Sequence, residues 1–402
     1  MHTRSLSRRA GLILLVTASL AACTTTGPAP VPTPSVISTP PTAHTTLTRG
    51  PYLQDVTDTA ATIVWHTADK AVGGLAIRPQ SGGAVTVSRE AAAGTEHVLR
   101  AIKLESGTAY SYRVLDDDAP LGPEAVFHTA PRTGSPTPFT FLVWGDSGCG
   151  CLPQDGIAAR MNAAPADLLL HTGDMIYEDG QESGFDPRFF APYAPLLART
   201  PVYPVLGNHD VISGDGDPWL RAFFLPGDQG AHNTRYYSFD YGNAHFIALD
   251  SEEDFSPTSR QYNWLLTDLA GTDAQSATWR FAFFHRPPYS SGLGHGSSFD
   301  IREAWGPLFE RFGVDIVFNG HEHNYERSLP RRDYTAVGGT HSVIYIVTGG
   351  GGKQLYNVGK QPWSAFADMR YNYVSVKLDG PSLKLEAIDA DGKVFDTLDL
   401  SR

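Results

Sequence analysis

Phe139-Thr140-Phe141-Leu142-Val143-Trp144-Gly145-Asp146-Ser147-Gly148 is a short apolar run that stops at a glycine and an aspartate. A run rich in aromatic and branched side chains, closed by Gly, reads as a buried strand ending in a loop. The arrangement recurs along the chain. Leu168 to Leu170 precedes Gly173-Asp174-Met175-Ile176-Tyr177, and Val202 to Leu206 precedes Gly207-Asn208-His209-Asp210. Phe281 to Phe284 runs straight into His285, and Val314 to Phe318 precedes Gly320-His321-Glu322-His323. Open α/β sheets place their sites just past the carboxyl ends of such strands. The glycine ahead of Asp146, Asp174, Asn208 and His321 is expected to let the backbone turn sharply and approach an ion. In Gly320-His321-Glu322-His323, alternation by two puts both imidazoles on one side of an extended segment and Glu322 on the other.

Together these loops offer Asp146, Asp174, Tyr177, Asn208, His285, His321 and His323. Carboxylate, amide, imidazole and phenolate all suit hard or borderline cations, and the set can supply two adjacent metal ions. A two-metal site is suited to attack at phosphorus, so phosphate-ester hydrolysis is the expected chemistry. One Gly-Asp pair alone is an ordinary turn, and a lone Tyr or His an ordinary core residue. The inference rests on the motifs occurring together, in order, each behind a strand.

On these motifs the chain resembles the calcineurin-like metallophosphoesterases and, within them, the purple acid phosphatases. That superfamily usually opens with Asp-x-His. Here Gly148 stands in the His position while Tyr177 adds a phenolate to the second motif, the coupled change that marks the purple acid subgroup. Gly50-Pro51-Tyr52-Leu53-Gln54, His285-Arg286-Pro287-Pro288-Tyr289 and Gly320 to Arg327 extend the resemblance over about residues 47 to 395. Ala282, where the family often has Val, and Asp210, where plant members often have Glu, are departures that remove no ligand.

The resemblance implies a catalytic α/β domain over 139–402, with two mixed β-sheets packed face to face and flanked by helices. It implies that Asp146, Asp174, Tyr177 and His323 hold Fe(III). Asp174, Asn208, His285 and His321 would hold a divalent Zn, Fe or Mn ion, with Asp174 shared. A phenolate is a hard donor suited to Fe(III), and a ferric ion makes hydroxide available below neutral pH. The implied activity is acid hydrolysis of phosphate monoesters, small or protein-borne, by attack of metal-bound hydroxide. His209 and His295 match residues that contact the phosphate or protonate the leaving group, work suited to a histidine near its ordinary pKa. The Gly- and Ser-rich setting of His295, Ser290 to Ser298, equally fits an idle loop histidine. Two other functions fit the same residues. One is a phosphodiesterase or nucleotidase using the same metals. The other is a non-catalytic surface binding lipoprotein, against which an intact set of seven ligand candidates argues.

Residues 1–22 read as a bacterial lipoprotein signal peptide. Arg4, Arg8 and Arg9 precede a short apolar core, Gly11 to Leu20, and Leu20-Ala21-Ala22-Cys23 matches a lipobox. Ordinary secretion with cleavage near Ala22 is the alternative, and Ser7-Arg8-Arg9 leaves twin-arginine export open beside the general route. Lipid on Cys23 would be the only tie to a membrane, anchoring an exported protein at the cell envelope, periplasmic or on the surface. Residues 23–45, rich in Thr, Pro and Ser, read as an extended tether. Residues 46–131 read as an all-β sandwich. Thr62-Ile63-Val64-Trp65 is a strand with a core Trp, and Leu104 to Val114 resembles the tyrosine-corner region of fibronectin type III domains. Residues 132–138 form a linker. In the catalytic domain, helices are expected over Gln261 to Leu269 and Ile301 to Phe312, and closing strands over Tyr373 to Leu378 and Leu383 to Ile388.

The net charge of −12 becomes −15 once Arg4, Arg8 and Arg9 leave with the signal, which argues against nucleic-acid binding. Two metal ions would still dominate the field in their own cleft. Cys149 and Cys151 are either a small-ring disulfide or free thiols in an exported chain. Gly349 to Lys353 lacks the spacing of a nucleotide loop and reads as a turn allowing close backbone approach. Asp116-Asp117-Asp118 reads as a solvated loop.

Overall fold

The computed structural model describes residues 42–228 and 230–402, so the expected signal peptide, Cys23 and most of the tether lie outside the described residues. Two sheets form the catalytic half. The first orders its strands Val202–Pro204, Leu168–His171, Phe139–Trp144, Asn372–Asp379, Ser382–Asp389 and Val394–Ser401. Its first three strands are parallel and the last three run antiparallel in turn. The second sheet orders Tyr237–Tyr241, Ala244–Ala248, Trp279–Phe283, Ile316–Asn319, Ile344–Thr348, Tyr325–Ser328 and Ser364–Asp368. Its central four strands, Ala244–Ala248 through Ile344–Thr348, are parallel.

Side-chain alternation decides what each face covers. Phe246, Phe281 and Phe318 of the second sheet meet Phe141 of the first edge-on, at 5.2–6.0 Å between ring centroids, and form the core between the sheets. Their neighbours Ile247, Ala282 and Val317 face the other way. They pack against Leu265 and Leu269 of helix Arg260–Ala270 and Trp305 and Phe309 of helix Phe299–Phe312. The expected catalytic strands and helices are therefore present, with bounds shifted by a residue or two.

The N-terminal region, up to about residue 131, is two antiparallel sheets. One pairs Leu47–Gln54, Ala60–Ala71 and Gly94–Ile102; the other pairs Thr86–Arg89, Gly73–Pro79 and Ala109–Asp116, with Ala125–His128 also on Ala109–Asp116. Trp65, Leu75, Tyr112 and Phe127 fill the core between them. The Tyr110 hydroxyl accepts the Glu105 N–H at 2.8 Å, the hydrogen bond of a tyrosine corner. Contact with this sandwich already begins at His44, whose N–H donates to Asp116 at 2.7 Å. Asp116 is thus buried, against the solvated reading, while Asp117 and Asp118 are exposed.

The sandwich also covers an edge of the catalytic sheet, where an open strand would otherwise leave unpaired backbone groups. Buried Gln54 donates to the Val202 carbonyl at 2.9 Å and accepts the Phe224 N–H at 3.0 Å, and Tyr52 donates to the Ala222 carbonyl at 2.8 Å. Gln54→Leu keeps the bulk but leaves both backbone groups without a partner. It is expected to cost about 2–4 kcal/mol, read as a lower urea midpoint at unchanged slope. A loss under about 1 kcal/mol would show that this contact is incidental.

Candidate metal centre

Every candidate ligand lies just beyond a strand of one of the two parallel arrays. Asp146 follows Phe139–Trp144, Asp174 and Tyr177 follow Leu168–His171, and Asn208 follows Val202–Pro204. From the other sheet, His285 follows Trp279–Phe283, and His321 and His323 follow Ile316–Asn319. The facing sheets thereby bring seven side chains from five loops to one place. All but Asn208 are buried, none more than 4% exposed.

The Tyr177 hydroxyl lies 3.1 Å from Asp146 Oδ1, 3.0 Å from Asp174 Oδ2 and 3.0 Å from His323 Nε2. Asp146, Asp174 and His323 offer donor atoms within 4.8 Å of one another. On the other side of Asp174, His285 Nε2 lies 3.4 Å from Asp174 Oδ2, 3.1 Å from Asn208 Oδ1 and 3.2 Å from His321 Nδ1. Two donor groups thus share one carboxylate. His209 borders the second: its N–H donates to Asp174 Oδ1 at 2.9 Å, and its Nε2 is 3.9 Å from Asp174 Oδ2. The exposed His295 lies outside the cluster, its ring stacked on His321 at 4.1 Å.

The arrangement fits cations. His285 Nδ1 is 2.9 Å from the Thr172 carbonyl and His323 Nδ1 is 2.7 Å from the Gln354 carbonyl. Each contact is a hydrogen bond when Nδ1 carries the proton, which leaves a lone pair on Nε2 of the neutral ring. Those lone pairs face oxygen acceptors, so positive charge is needed between them. When only protons supply it, His285 is pushed up to about 10, because Asp174 and Asp146 outweigh the opposing effect of burial. Burial also opposes ionisation of Asp174, but His285 and His209 hold its carboxyl well below the usual range. His321 is lowered by burial and by His285 and Arg286, so it stays a neutral donor. Burial, then Asp146 and Asp174, raises the Tyr177 phenol far above its ordinary value. A cation within the cluster reverses that last effect, since its charge becomes the largest nearby.

Several details differ from the sequence reading. The sharp turns are taken largely by the ligands themselves, with φ of +57° at Asp146, +54° at Asp174 and +69° at His321. Aspartate tolerates that region better than most residues. Because His321 is left-handed, Gly320 to His323 is a bent loop, not an extended strand; both imidazoles still reach the cluster. A glycine is required at 320 by close approach, since a Cβ there would overlap Asp146 Oδ2. Gly148 likewise has no room for a side chain: a Cβ would collide with the Met175 carbonyl, so a histidine could not stand there. Cys149 and Cys151 form a disulfide in the loop after Asp146. Gly351 N–H donates to the Gly145 carbonyl and Lys353 N–H to the Asp146 carbonyl, both at 3.0 Å, so the glycine run backs the first motif.

The supporting roles of Asp210, Glu252 and Lys353 escaped the sequence reading. Buried Asp210 accepts the N–H groups of Met175 and Gly207 at 3.0 Å and Ile176 at 3.2 Å, joining two ligand loops. Glu252 clamps Arg286 through two 2.8 Å contacts, and Arg286 Nη1 reaches 3.3 Å from His321 Nε2. Lys353 Nζ sits 4.5 Å above the Tyr177 ring and pairs with Glu178. Glu322 turns away from the cluster, as expected, and meets the His295 loop, which was not expected. A lone charged residue such as Glu252 or Lys353 carries no periodic signal, and its partner is far away in sequence; Asp210 could have been singled out by its place in the Asn208 motif.

Fold and cluster together define a metallophosphoesterase. Residues 139–325 match the family model for calcineurin-like phosphoesterases, and residues 342–397 match that of the iron/zinc purple acid phosphatase-like protein C domain. A nucleotide pyrophosphatase/phosphodiesterase of Hordeum vulgare is 30% identical over 323 residues, covering 69% of this chain and 86% of its own. Purple acid phosphatase 22 of Arabidopsis thaliana is 30% identical over 308 residues, covering 71% of this chain and 67% of its own. Further Arabidopsis relatives, 27–29% identical, are named probable inactive purple acid phosphatases; this chain spans 52–58% of their length. A purple acid phosphatase from yellow lupin (Lupinus luteus) seeds shares the fold, with a TM-score of 0.75 over 90% of this chain and 75% of that one at 22% identity. The chain belongs to the calcineurin-like phosphoesterase family, in its purple acid phosphatase-like branch, and is a hydrolase acting on phosphoric esters.

Proposed function

We propose that this hydrolase is a dinuclear-metal acid phosphatase acting on phosphate monoesters. One observation carries the reading: the buried Tyr177 hydroxyl stands 3.0–3.1 Å from Asp146, Asp174 and His323, beside a second set that shares Asp174. Asp146, Asp174, Tyr177 and His323 would hold Fe(III), the ion best matched to a phenolate. Asp174, Asn208, His285 and His321 would hold Zn, Fe or Mn. Such a pair, when bound, supplies charge neutralisation and an activated water.

The chain's own residues do the rest. His209 Nδ1 contacts the Glu178 carbonyl, which fixes the ring with Nε2 turned toward Asp174 and free to bind a phosphate oxygen. His295, exposed and stacked on His321, protonates the leaving oxygen. We assign residues 46–131 to a fibronectin type III-like domain that buttresses the catalytic domain, 139–402, through the 132–138 linker. Export and lipid attachment at Cys23 belong to the same proposal. The name of the barley relative favours a second reading, hydrolysis of phosphodiesters or nucleotide pyrophosphates on the same metals.

Visible absorption with metal analysis tests the centre. A broad band with iron and a second metal in near-equal amounts is expected, and Tyr177→Phe should abolish the band. A Tyr177→Phe protein that stays purple refutes the assignment. A colourless wild type with two divalent ions shifts the optimum toward neutral pH and favours the diesterase. Aryl monoesters and diesters assayed in parallel separate the two substrate classes.

A further inference from the structure

The loop Ser290 to Ser298 has the composition of a mobile surface segment, yet its backbone is tied down. The N–H groups of Gly294, His295 and Gly296 all donate to the carboxylate of Glu322, the first at 3.3 Å and the others more tightly. Glu322 is 0% exposed and lies between His321 and His323. Successive N–H groups converging on one carboxylate form an anion nest, and an ionised acceptor makes the stronger hydrogen bond. A second buried acid, Glu326, takes the Ser291 N–H at 2.5 Å. The approach is close enough to demand glycine. A Cβ on Gly292 would run into the Glu322 carboxylate, and one on Gly294 into the Tyr356 ring.

The consequence of this clamp is the position of His295. Its ring lies on His321 at 4.1 Å and 25°, with Tyr356 at 5.5 Å on its edge. Among the described residues no hydrogen bond holds the imidazole itself. We propose that Glu322 is a positioning residue that seats His295 over His321. One three-residue segment then carries two donors of the metal centre and the anchor of the histidine that faces the substrate. The kinetic part of this proposal rests on the role given to His295 above; the clamp itself rests on geometry alone.

Hydrogen exchange read by mass spectrometry tests the clamp in the full chain, comparing wild type, E322A and H295A at matched metal content. Amides in 291–297 are expected to exchange at least about tenfold faster in E322A, because three charge-assisted bonds are lost. H295A should leave them protected, since the clamp is made by backbone. Turnover of an aryl phosphate is expected to fall roughly 100-fold in E322A and H295A alike, and no further in the double variant. Equal protection in wild type and E322A overturns the clamp. Losses that multiply in the double variant overturn the positioning role, since Glu322 would then act independently of His295. Were the wild type to hydrolyse no phosphate ester, the proposed function would fail while exchange still decided the clamp. Should E322A not fold, E322Q, which keeps one acceptor oxygen, is expected to give intermediate protection; full protection in E322Q counts against the clamp.

Discussion

Asp174→Ala is expected to abolish metal retention and hydrolysis together. Asp174 is the one side chain common to both donor sets: Oδ2 lies 3.0 Å from the Tyr177 hydroxyl and 3.4 Å from His285 Nε2. Losing it removes an anionic donor from each proposed ion and several kcal/mol of charge stabilisation, roughly three orders of magnitude in turnover. Stability should fall as well, and by more when metal is present. Saturating ions stabilise a folded site by about 3–4 kcal/mol at 100 to 1,000 times the dissociation constant, so wild type should melt lower once chelated. The variant should not respond to chelator at all. Without metal the variant should also be the weaker protein near neutral pH. Burial opposes the Asp174 charge, but His285 and His209 hold its carboxyl below the usual range, so the ionised group contributes stability that alanine loses. Thermal melts with and without chelator, beside metal analysis and kcat, check this. A variant that keeps two metals per chain, or more than about a tenth of wild-type turnover, would show that Asp174 is not the ligand shared by the two ions.

The parts legible in the sequence were those with a repeating physical signal. Phe139–Trp144, Leu168–His171 and Trp279–Phe283 announce themselves because a strand buried on both faces is largely apolar. Each is followed within three residues by a polar ligand candidate, Asp146, Asp174 and His285 respectively. That logic located all seven ligand candidates without knowledge of which loops meet. It could not order the sheets: Tyr325–Ser328 inserts between Ile344–Thr348 and Ser364–Asp368, a crossing that no local pattern encodes. Alternation by two predicts the right cluster for His321 and His323 but the wrong conformation, since the turn at His321 bends the segment. The Glu322 clamp was hidden for a related reason. The sequence shows only an acidic residue between two histidines and a glycine-rich loop 26 to 28 positions earlier, and their meeting is a product of the fold.

Asp210→Ala is expected to be the most damaging substitution among residues that are not proposed ligands. Its carboxylate is fully buried and receives three backbone N–H groups, from Met175 and Ile176 in one ligand loop and Gly207 in the other. It therefore fixes the distance between Asp174 and Asn208. Burial and the neighbouring charge of Asp174 push its pKa up to about 7; cations beside Asp174 cancel the second of these and favour the ionised form that the N–H groups need. Alanine leaves all three donors unpaired. Each costs about 1–3 kcal/mol when buried and unsatisfied, so a loss near 4 kcal/mol is expected in chelator, where metal linkage does not enter. Affinity for metal should fall by roughly 10–100-fold through the displaced loops. Asp210→Asn separates shape from charge. Its carbonyl oxygen can still serve Met175 and Ile176, but its NH2 would face the Gly207 N–H, donor against donor. The asparagine variant should thus lose less stability than alanine and recover turnover when the divalent metal is supplied in excess. Should both variants unfold at the wild-type urea midpoint, the link between the two loops would carry no weight, and the spacing of Asp174 and Asn208 would have to come from the sheet alone.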